Sequence, residues 1–220
     1  VNEQIKTLQN LQSFDTKISS KNALPFLQLG INQHSPTLSP NQKFLVYLAS
    51  TPKPRKEEIR ILERNPKKGE LFNNKKYKVL LNSMGASRVA WLPDSSGFFF
   101  TQAQTYKRYY TFKDLFYYDL NKSTLRRLPF GARVTDIGVS PDGQQLVMVQ
   151  NEPSRSRLSL FNIKELKIIP IYKPKNLLTQ ISHPQFLDAH TLIFSRHDSK
   201  GKINCITLHL NSNENEKEIR

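Results

Sequence analysis

Apolar and polar positions along the chain form a recurring pattern that predicts β-strands. Short apolar runs return at wide intervals, and most follow a polar turn of the Ser-Pro-Asp-Gly type. An apolar run of this length, bounded by turn residues, is typical of a strand buried on both faces. Proline fixes φ in such a turn, aspartate caps it, and glycine accepts positive φ. The turn-plus-strand segments are 39–48, 92–101, 140–149 and the degenerate 186–195.

The spacing of these segments identifies an internal repeat. Successive units are separated by 53, 48 and 46 residues when they are anchored on Pro40, Pro93, Pro141 and Leu187. A period near 40 to 50 residues with strand-like content is typical of propeller blades of four strands each. The sequence therefore predicts an all-β fold, a β-propeller of four-stranded antiparallel blades with four blades visible.

Each unit has the strands that such a blade needs. First strands are predicted at 35–39, 87–92, 134–140 and 182–187, and third strands at 58–63, 114–120, 157–163 and 202–210. Outer strands are predicted at 77–81, 124–128, 166–171 and 216–220. The blades span about 31–81, 82–130, 131–175 and 176–220, after a helical or extended lead-in at 1–30.

Residues 140–146, Ser-Pro-Asp-Gly-x-x-Leu before an apolar strand, resemble the repeat of TolB-like propellers, bacterial relatives of WD-repeat proteins. Residues 114–128 are similar to the third and fourth strands of such a blade, and residues 183–194 to its first two. The resemblance covers about residues 31–220. It implies a propeller fold and, since TolB is a periplasmic protein that binds other proteins, an interaction role in the bacterial envelope.

The same resemblance leaves a second kind of protein open. Similar blades form the N-terminal domain of prolyl-oligopeptidase-type serine peptidases, and one fold serves several functions. TolB-type propellers commonly have more blades than the four predicted here. We therefore expect the sequence to be a fragment, or the propeller to be irregular or completed by another chain.

Charge adds a hypothesis about partners. The 33 basic and 18 acidic residues give a net charge of +15. Such an excess fits an acidic partner, and it also fits a generally basic, solvated surface. The single cysteine, Cys205, cannot form an internal disulfide, so the redox compartment is not readable from it. No apolar run approaches the roughly 18 residues of a membrane span.

Motifs that carry chemistry are missing from the sequence. There is no Gly-x-Ser-x-Gly nucleophile elbow and no glycine-rich phosphate loop. Asp94, Asp142 and Asp188 recur at the repeat period, which predicts that they cap turns. The histidines are predicted to be structural or exposed; they are His34, His183, His190, His197 and His209. We therefore predict no enzyme, no catalytic residue, no metal and no cofactor.

The connections between the second and third strands suggest where a partner binds. In a propeller these connections, 50–57, 102–113, 151–157 and 195–202, open on one face of the disc. They are rich in basic residues, and 102–113 also contains tyrosines, which are frequent at interaction hot spots. The predicted partner-binding residues are Lys53, Arg55, Lys56, Tyr106, Lys107, Arg108, Tyr109, Tyr110, Arg155, Arg157, Arg196, Lys200 and Lys202.

Three interpretations of the 102–113 segment remain open at this stage. Its aromatic residues pack on the disc, or they bind an acidic protein, or they stack on single-stranded nucleic acid. We expect a non-catalytic scaffold that binds protein partners, in the periplasm or otherwise associated with the envelope as the TolB resemblance implies. The alternatives are a peptidase propeller domain and a basic scaffold for nucleic acid.

Overall fold

The structure is a computed structural model that describes residues 32–52, 55–64, 72, 77–83, 85–128, 131–210 and 216–219. The predicted lead-in, 1–30, lies outside the described residues. The named strands form four antiparallel sheets of four strands, and each sheet has its strands in chain order. The first two sheets contain β1 (Asn32–Leu38), β2 (Phe44–Pro52), β3 (Arg55–Glu63), β4 (Lys78–Asn82), β5 (Ser87–Trp91), β6 (Gly97–Tyr106), β7 (Tyr110–Asp119) and β8 (Thr124–Arg127). The last two contain β9 (Val134–Val139), β10 (Gln145–Asn151), β11 (Ser156–Asn162), β12 (Lys167–Tyr172), β13 (Gln180–Phe186), β14 (Thr191–His197), β15 (Ile203–His209) and β16 (Glu216–Ile219).

Each sheet corresponds to one predicted blade, which confirms the all-β propeller architecture. The repeating turn before the second strand is held by its aspartate, as the sequence predicts. Asp142 accepts hydrogen bonds from the Ser140 hydroxyl at 2.5 Å and from the Gln144 amide at 3.0 Å. The hydrogen bond from Ser140 lowers the pKa of Asp142. Gly143 follows with φ of 71°, a conformation that glycine adopts without steric cost.

The aspartates of the neighbouring turns accept equivalent hydrogen bonds. Asp94 accepts a hydrogen bond from the Ser96 amide at 2.9 Å, and Asp188 accepts one from the His190 amide at 2.7 Å. These backbone hydrogen bonds lower the pKa of both carboxyl groups. Because each carboxylate is satisfied within its own turn, these residues serve the fold.

Apolar side chains fill the spaces between neighbouring blades. The core between the first two blades is centred on Phe98 and Phe100, that between the second and third on Phe99 and Leu146, and that between the third and fourth on Phe194. The apolar second strand of each inner blade thus contributes side chains to cores on both of its faces. This is the packing that a continuous apolar run predicts.

The second and third strands pair over different lengths in the four blades. The β6–β7 ladder has ten residue pairs and β2–β3 has nine, whereas β10–β11 and β14–β15 each have seven. All four ladders start at equivalent repeat positions, Phe44, Gly97, Gln145 and Thr191. The β6–β7 hairpin therefore reaches about 10 Å further than the hairpins of the third and fourth blades, at some 3.3 Å per strand residue.

This ladder corrects one prediction. Residues 102–113 were expected to be a loop, but only 107–109 form a turn, because the alternating polar and aromatic residues on either side continue the strand pairing to Tyr106 and Tyr110. Residues 50–52 and 55–57 likewise continue β2 and β3.

Candidate functional site

Strand direction collects several turns on one side of the propeller. In an antiparallel sheet successive strands end at opposite edges, so the connections after every second strand share one edge. We call this side the hairpin face and define it by residues 107–109, 152–155, 173–179 and 198–202. It is the side on which the sequence predicts partner binding.

The turn at the end of the β6–β7 hairpin presents two cations. Lys107 and Arg108 have φ of 47° and 66°, and the Tyr109 amide donates to the Tyr106 carbonyl at 3.1 Å. Consecutive positive φ values are those of a type I′ turn, where Asn-Gly is strongly preferred. Lysine and arginine are unfavourable in this conformation, so turn formation alone does not explain their presence. Within the described part of the chain, neither side chain has a hydrogen bond or an ion pair.

Aromatic side chains flank these cations. Tyr109 is 86% exposed and Tyr110 59% exposed, although both are large and partly apolar. The Tyr110 ring lies nearly parallel to Phe112, with an interplanar angle of 7° and ring centroids 6.3 Å apart. The Arg133 guanidinium lies 4.1 Å from the centre of the Phe112 ring, a favourable cation–π distance.

The base of the hairpin is fixed by a buried carboxylate. Asp114 has no exposed surface, and it accepts hydrogen bonds from the Tyr106 hydroxyl and the Arg127 guanidinium. Arg127 also donates to the Tyr106 hydroxyl at 2.7 Å, and the Gly131 amide does so at 3.1 Å. Burial, followed by the hydrogen bond to Asp114, raises the pKa of Tyr106. Tyr106, predicted as a partner contact, is thus also a structural support for the tip.

A depression of about 410 Å³ opens beside this hairpin. Three aromatic and two cationic side chains line it. The lining residues are Tyr106, Lys107, Tyr110, Phe112, Gly131 and Arg133.

The third blade's hairpin arranges its cations differently. Glu152 lies 3.7 Å from Arg155, 3.3 Å from Arg157 and 2.9 Å from Lys173, as measured between charged atoms. The hydrogen bond from Lys173 lowers the pKa of Glu152. Arg155 also donates to the Pro174 carbonyl at 3.2 Å. The two arginines of the predicted site are therefore held by their own blade.

The remaining predicted residues are spread along the same side. Lys56 is exposed and lines a groove of about 660 Å³ between the β2–β3 and β6–β7 hairpins. Arg196 is half-buried near the end of β14, and Lys200 and Lys202 are exposed in the turn that follows. Arg55 is the first residue of β3, and Lys53 lies outside the described residues.

Sequence reasoning missed an apolar feature of the hairpin face. Leu177 and Leu178 are 58% and 65% exposed, and Leu178 has φ of 63°. The Leu178 amide donates to the Ser154 carbonyl at 2.8 Å, which holds this segment against the β10–β11 turn. The only signal in the sequence was a pair of adjacent leucines in a connection that is otherwise polar.

A polar cluster joins the first strands of three blades. The Ser182 hydroxyl lies 2.9 Å from His197 Nε2 and 3.0 Å from His183 Nδ1. Arg88 lies 3.0 Å from His183 Nε2 and 3.3 Å from Asp136, whose other oxygen accepts the His183 amide at 2.8 Å. Because Arg88, Asp136 and His183 belong to three different blades, their contacts can hold these blades together.

Both histidines of this cluster lie in strands. His183 lies in β13, where the sequence predicts a first strand at 182–187, whereas His197 ends β14 although residues 195–202 were expected to be a connection. β13 has a bulge between Ser182 and Gln185.

The described residues contain no group of three or more His, Cys, Asp or Glu side chains placed to hold a metal ion. Nor do they include a helix with the length and hydropathy needed to cross a lipid bilayer.

Comparison with known proteins identifies the fold. No protein-family model matches the sequence, and no curated protein does either. Among solved structures, TolB from Acinetobacter baumannii is similar with a TM-score of 0.68 and 12% identity, covering 88% of this chain and 44% of that one. The chain thus spans less than half the length of that TolB.

Solved structures of enzymes are also similar to this chain. An oligogalacturonate lyase in complex with manganese has a TM-score of 0.63 at 12% identity over 89% of this chain and 55% of its own. A puromycin-hydrolysing peptidase of Mycobacterium tuberculosis has a TM-score of 0.61 at 12% identity over 86% of this chain and 29% of its own. At these identities the likeness concerns the fold, and this chain has the fold of a TolB-like β-propeller.

Proposed function

We propose that this propeller is a non-catalytic scaffold that binds acidic protein partners through its hairpin face. The observation that carries the proposal is the extended β6–β7 hairpin, whose turn combines two cations without partners among the described residues and two exposed tyrosines. Tyrosine and arginine are enriched at interaction hot spots, because they bury large areas and retain polar contacts.

The positive charge of the hairpin tip indicates a partner with an acidic surface. Cations that are not neutralised within the protein attract carboxylates and increase the rate of encounter. The TolB-like fold supports a place in the bacterial envelope, and we propose that location for the chain. A nucleic acid is less favoured, because carboxylates of Glu152 and Asp198 lie in two hairpin turns and interrupt a phosphate track.

Affinity capture from the native host tests the proposal. The wild-type chain and the Lys107→Glu/Arg108→Glu variant serve as baits, with Lys122→Glu/Arg126→Glu in and beside the β7–β8 turn at the opposite edge as the charge-matched control. We expect acidic proteins to be recovered by wild type and control and to be depleted with the tip variant. Equal recovery by all three baits contradicts the proposal.

The fold also supports a second function, the propeller domain of a larger serine peptidase. The observation in its favour is the similarity to peptidases such as the puromycin-hydrolysing enzyme. The complete reading frame separates the two functions. A Gly-x-Ser-x-Gly segment beyond these residues favours the peptidase, and further blades favour the scaffold.

A further inference from the structure

We propose that the depression beside the β6–β7 hairpin is an anchor pocket for one aromatic side chain of an acidic partner segment. This inference rests on the proposed function and names what the partner must present. The depression has a volume of about 410 Å³ and lies at the base of the cationic turn. A partner segment bound to Lys107 and Arg108 would therefore pass its mouth.

The walls of the depression favour a planar apolar group. Phe112 forms its centre, with the Tyr106 ring 5.8 Å away and the Tyr110 ring 6.3 Å away between centroids. Aromatic rings at such distances interact favourably with a further ring in an offset or tilted arrangement. An aromatic side chain entering here would also cover the exposed part of Tyr110.

The cationic lining favours a carboxylate next to that ring. The Arg133 guanidinium lies 4.1 Å from the centre of the Phe112 ring, and Lys107 also lines the depression. Arg133 is exposed, so a carboxylate beside the inserted ring can reach it without losing all hydration. The two cations thus match an acidic residue that neighbours the anchor in the partner.

The pocket is held open by a rigid support. Tyr106 is fixed from below by the Asp114 carboxylate, by Arg127 at 2.7 Å and by the Gly131 amide at 3.1 Å. Because Tyr106 is already ordered before binding, it loses little conformational entropy when a partner binds.

A pair of synthetic peptides tests the pocket. The first is a short fluorescein-labelled peptide of glutamates around one phenylalanine, and its twin has alanine at the centre. We expect the wild-type chain to bind the phenylalanine peptide about tenfold more tightly, the order of one buried ring beside a cation. In Phe112→Leu, which removes the central wall ring, the preference should fall to about twofold or less. Arg133→Gln should weaken both peptides alike, while Lys122→Gln, its charge-matched control in the β7–β8 turn, should change neither the affinities nor the preference.

The outcomes separate the pocket from the scaffold function. Loss of the preference in Phe112→Leu but not in Lys122→Gln, with unchanged thermal unfolding, supports the anchor pocket. Equal affinity of wild type for both peptides, or a preference that survives in Phe112→Leu, overturns the pocket and leaves salt-sensitive binding of acidic segments standing. Binding of neither peptide at low salt contradicts the proposed function itself. Tighter binding of single-stranded DNA than of either peptide overturns the choice of an acidic protein segment.

Discussion

The β6–β7 and β10–β11 hairpins share one face and each contains a pair of basic residues, but only the β6–β7 pair has no ion pair among the described residues. In the third blade, Arg155 and Arg157 lie within 4 Å of Glu152, which Lys173 also contacts. In the second blade, Lys107 and Arg108 extend beyond the ladder of the neighbouring blade and have no partner among the described residues. Counting basic residues in a connection therefore does not measure how much charge a partner meets.

The carboxylates of the two hairpins differ as well. Asp114 is buried beneath its tyrosine and arginine, whereas Glu152 is partly exposed beside its cations. A buried ion pair is costly to break, because the remaining group stays desolvated, while an exposed pair is screened by water and contributes little. Asp114 thus supports the hairpin of the second blade, whereas Glu152 neutralises surface cations of the third.

Removing the buried acid should have the largest effect. Asp114→Ala leaves Arg127 and Tyr106 without their shared acceptor and should lower the free energy of unfolding by about 3 kcal/mol. Tyr106→Phe, which deletes one hydroxyl, should lower it by about 1 kcal/mol. Urea denaturation measures both. A loss below about 1 kcal/mol for Asp114→Ala would show that the buried network does not support the hairpin.

The contrast between the tip cations, which have no partner among the described residues, and the paired arginines predicts unequal effects on binding. Lys107→Gln/Arg108→Gln and Arg155→Gln/Arg157→Gln remove the same formal charge. We expect the tip variant to weaken binding of an acidic peptide by about tenfold and the third-blade variant by about threefold or less. Fluorescence anisotropy at constant ionic strength compares them, and equal losses would refute the distinction between the two hairpins.

The conformation of the tip predicts a gain in stability at the expense of binding. Lys107→Asn/Arg108→Gly installs the residues that a type I′ turn prefers and should raise the free energy of unfolding by about 1 kcal/mol. The same change removes both cations, so acidic peptides should bind more weakly. A variant that is less stable than wild type in thermal and urea unfolding would contradict the assigned turn.

The smallest predicted effect concerns the titration of Glu152. Since Lys173 lowers the pKa of Glu152 in the folded chain, this carboxylate adds stability above the ordinary glutamate range. That contribution is lost as the pH falls through the lowered folded-state value. Carboxyl NMR should give a midpoint below that of a free glutamate, and Lys173→Gln should raise it. A midpoint at or above the ordinary value would mean that the paired arrangement does not form in solution.

Much of the fold follows from the sequence, because repeats reinforce each other. The turns at Pro93 and Pro141 fix where each second strand begins, and the apolar runs after them fix its burial. The extent of β6 and β7 was not predictable in the same way. Polar and aromatic residues such as Gln104 and Tyr106 suit an exposed loop and an extended hairpin equally well, and only cross-strand pairing decides between them.

The sequence predicted which residue types form the site, but not which of its charged side chains are paired. Basic residues at the hairpin face were visible in the sequence, but pairing of Arg155 and Arg157 with Glu152 depends on where the backbone places three side chains. The aromatic depression depends on Arg133, which is distant from Phe112 in sequence and reaches it through the connection to β9. Contacts of this kind arise from tertiary structure, which a local pattern does not specify.

Hydrogen exchange of the captured complex reports where on the propeller a partner binds. A partner recovered from the host is bound to the intact chain, and amide exchange is compared with that of the free chain. Binding through the hairpin face should slow exchange at residues 105–111 and 131–133, with no change in the turns at 92–96 and 140–144 on the opposite side. Protection of those opposite turns with none at the hairpin tip would contradict binding through the hairpin face.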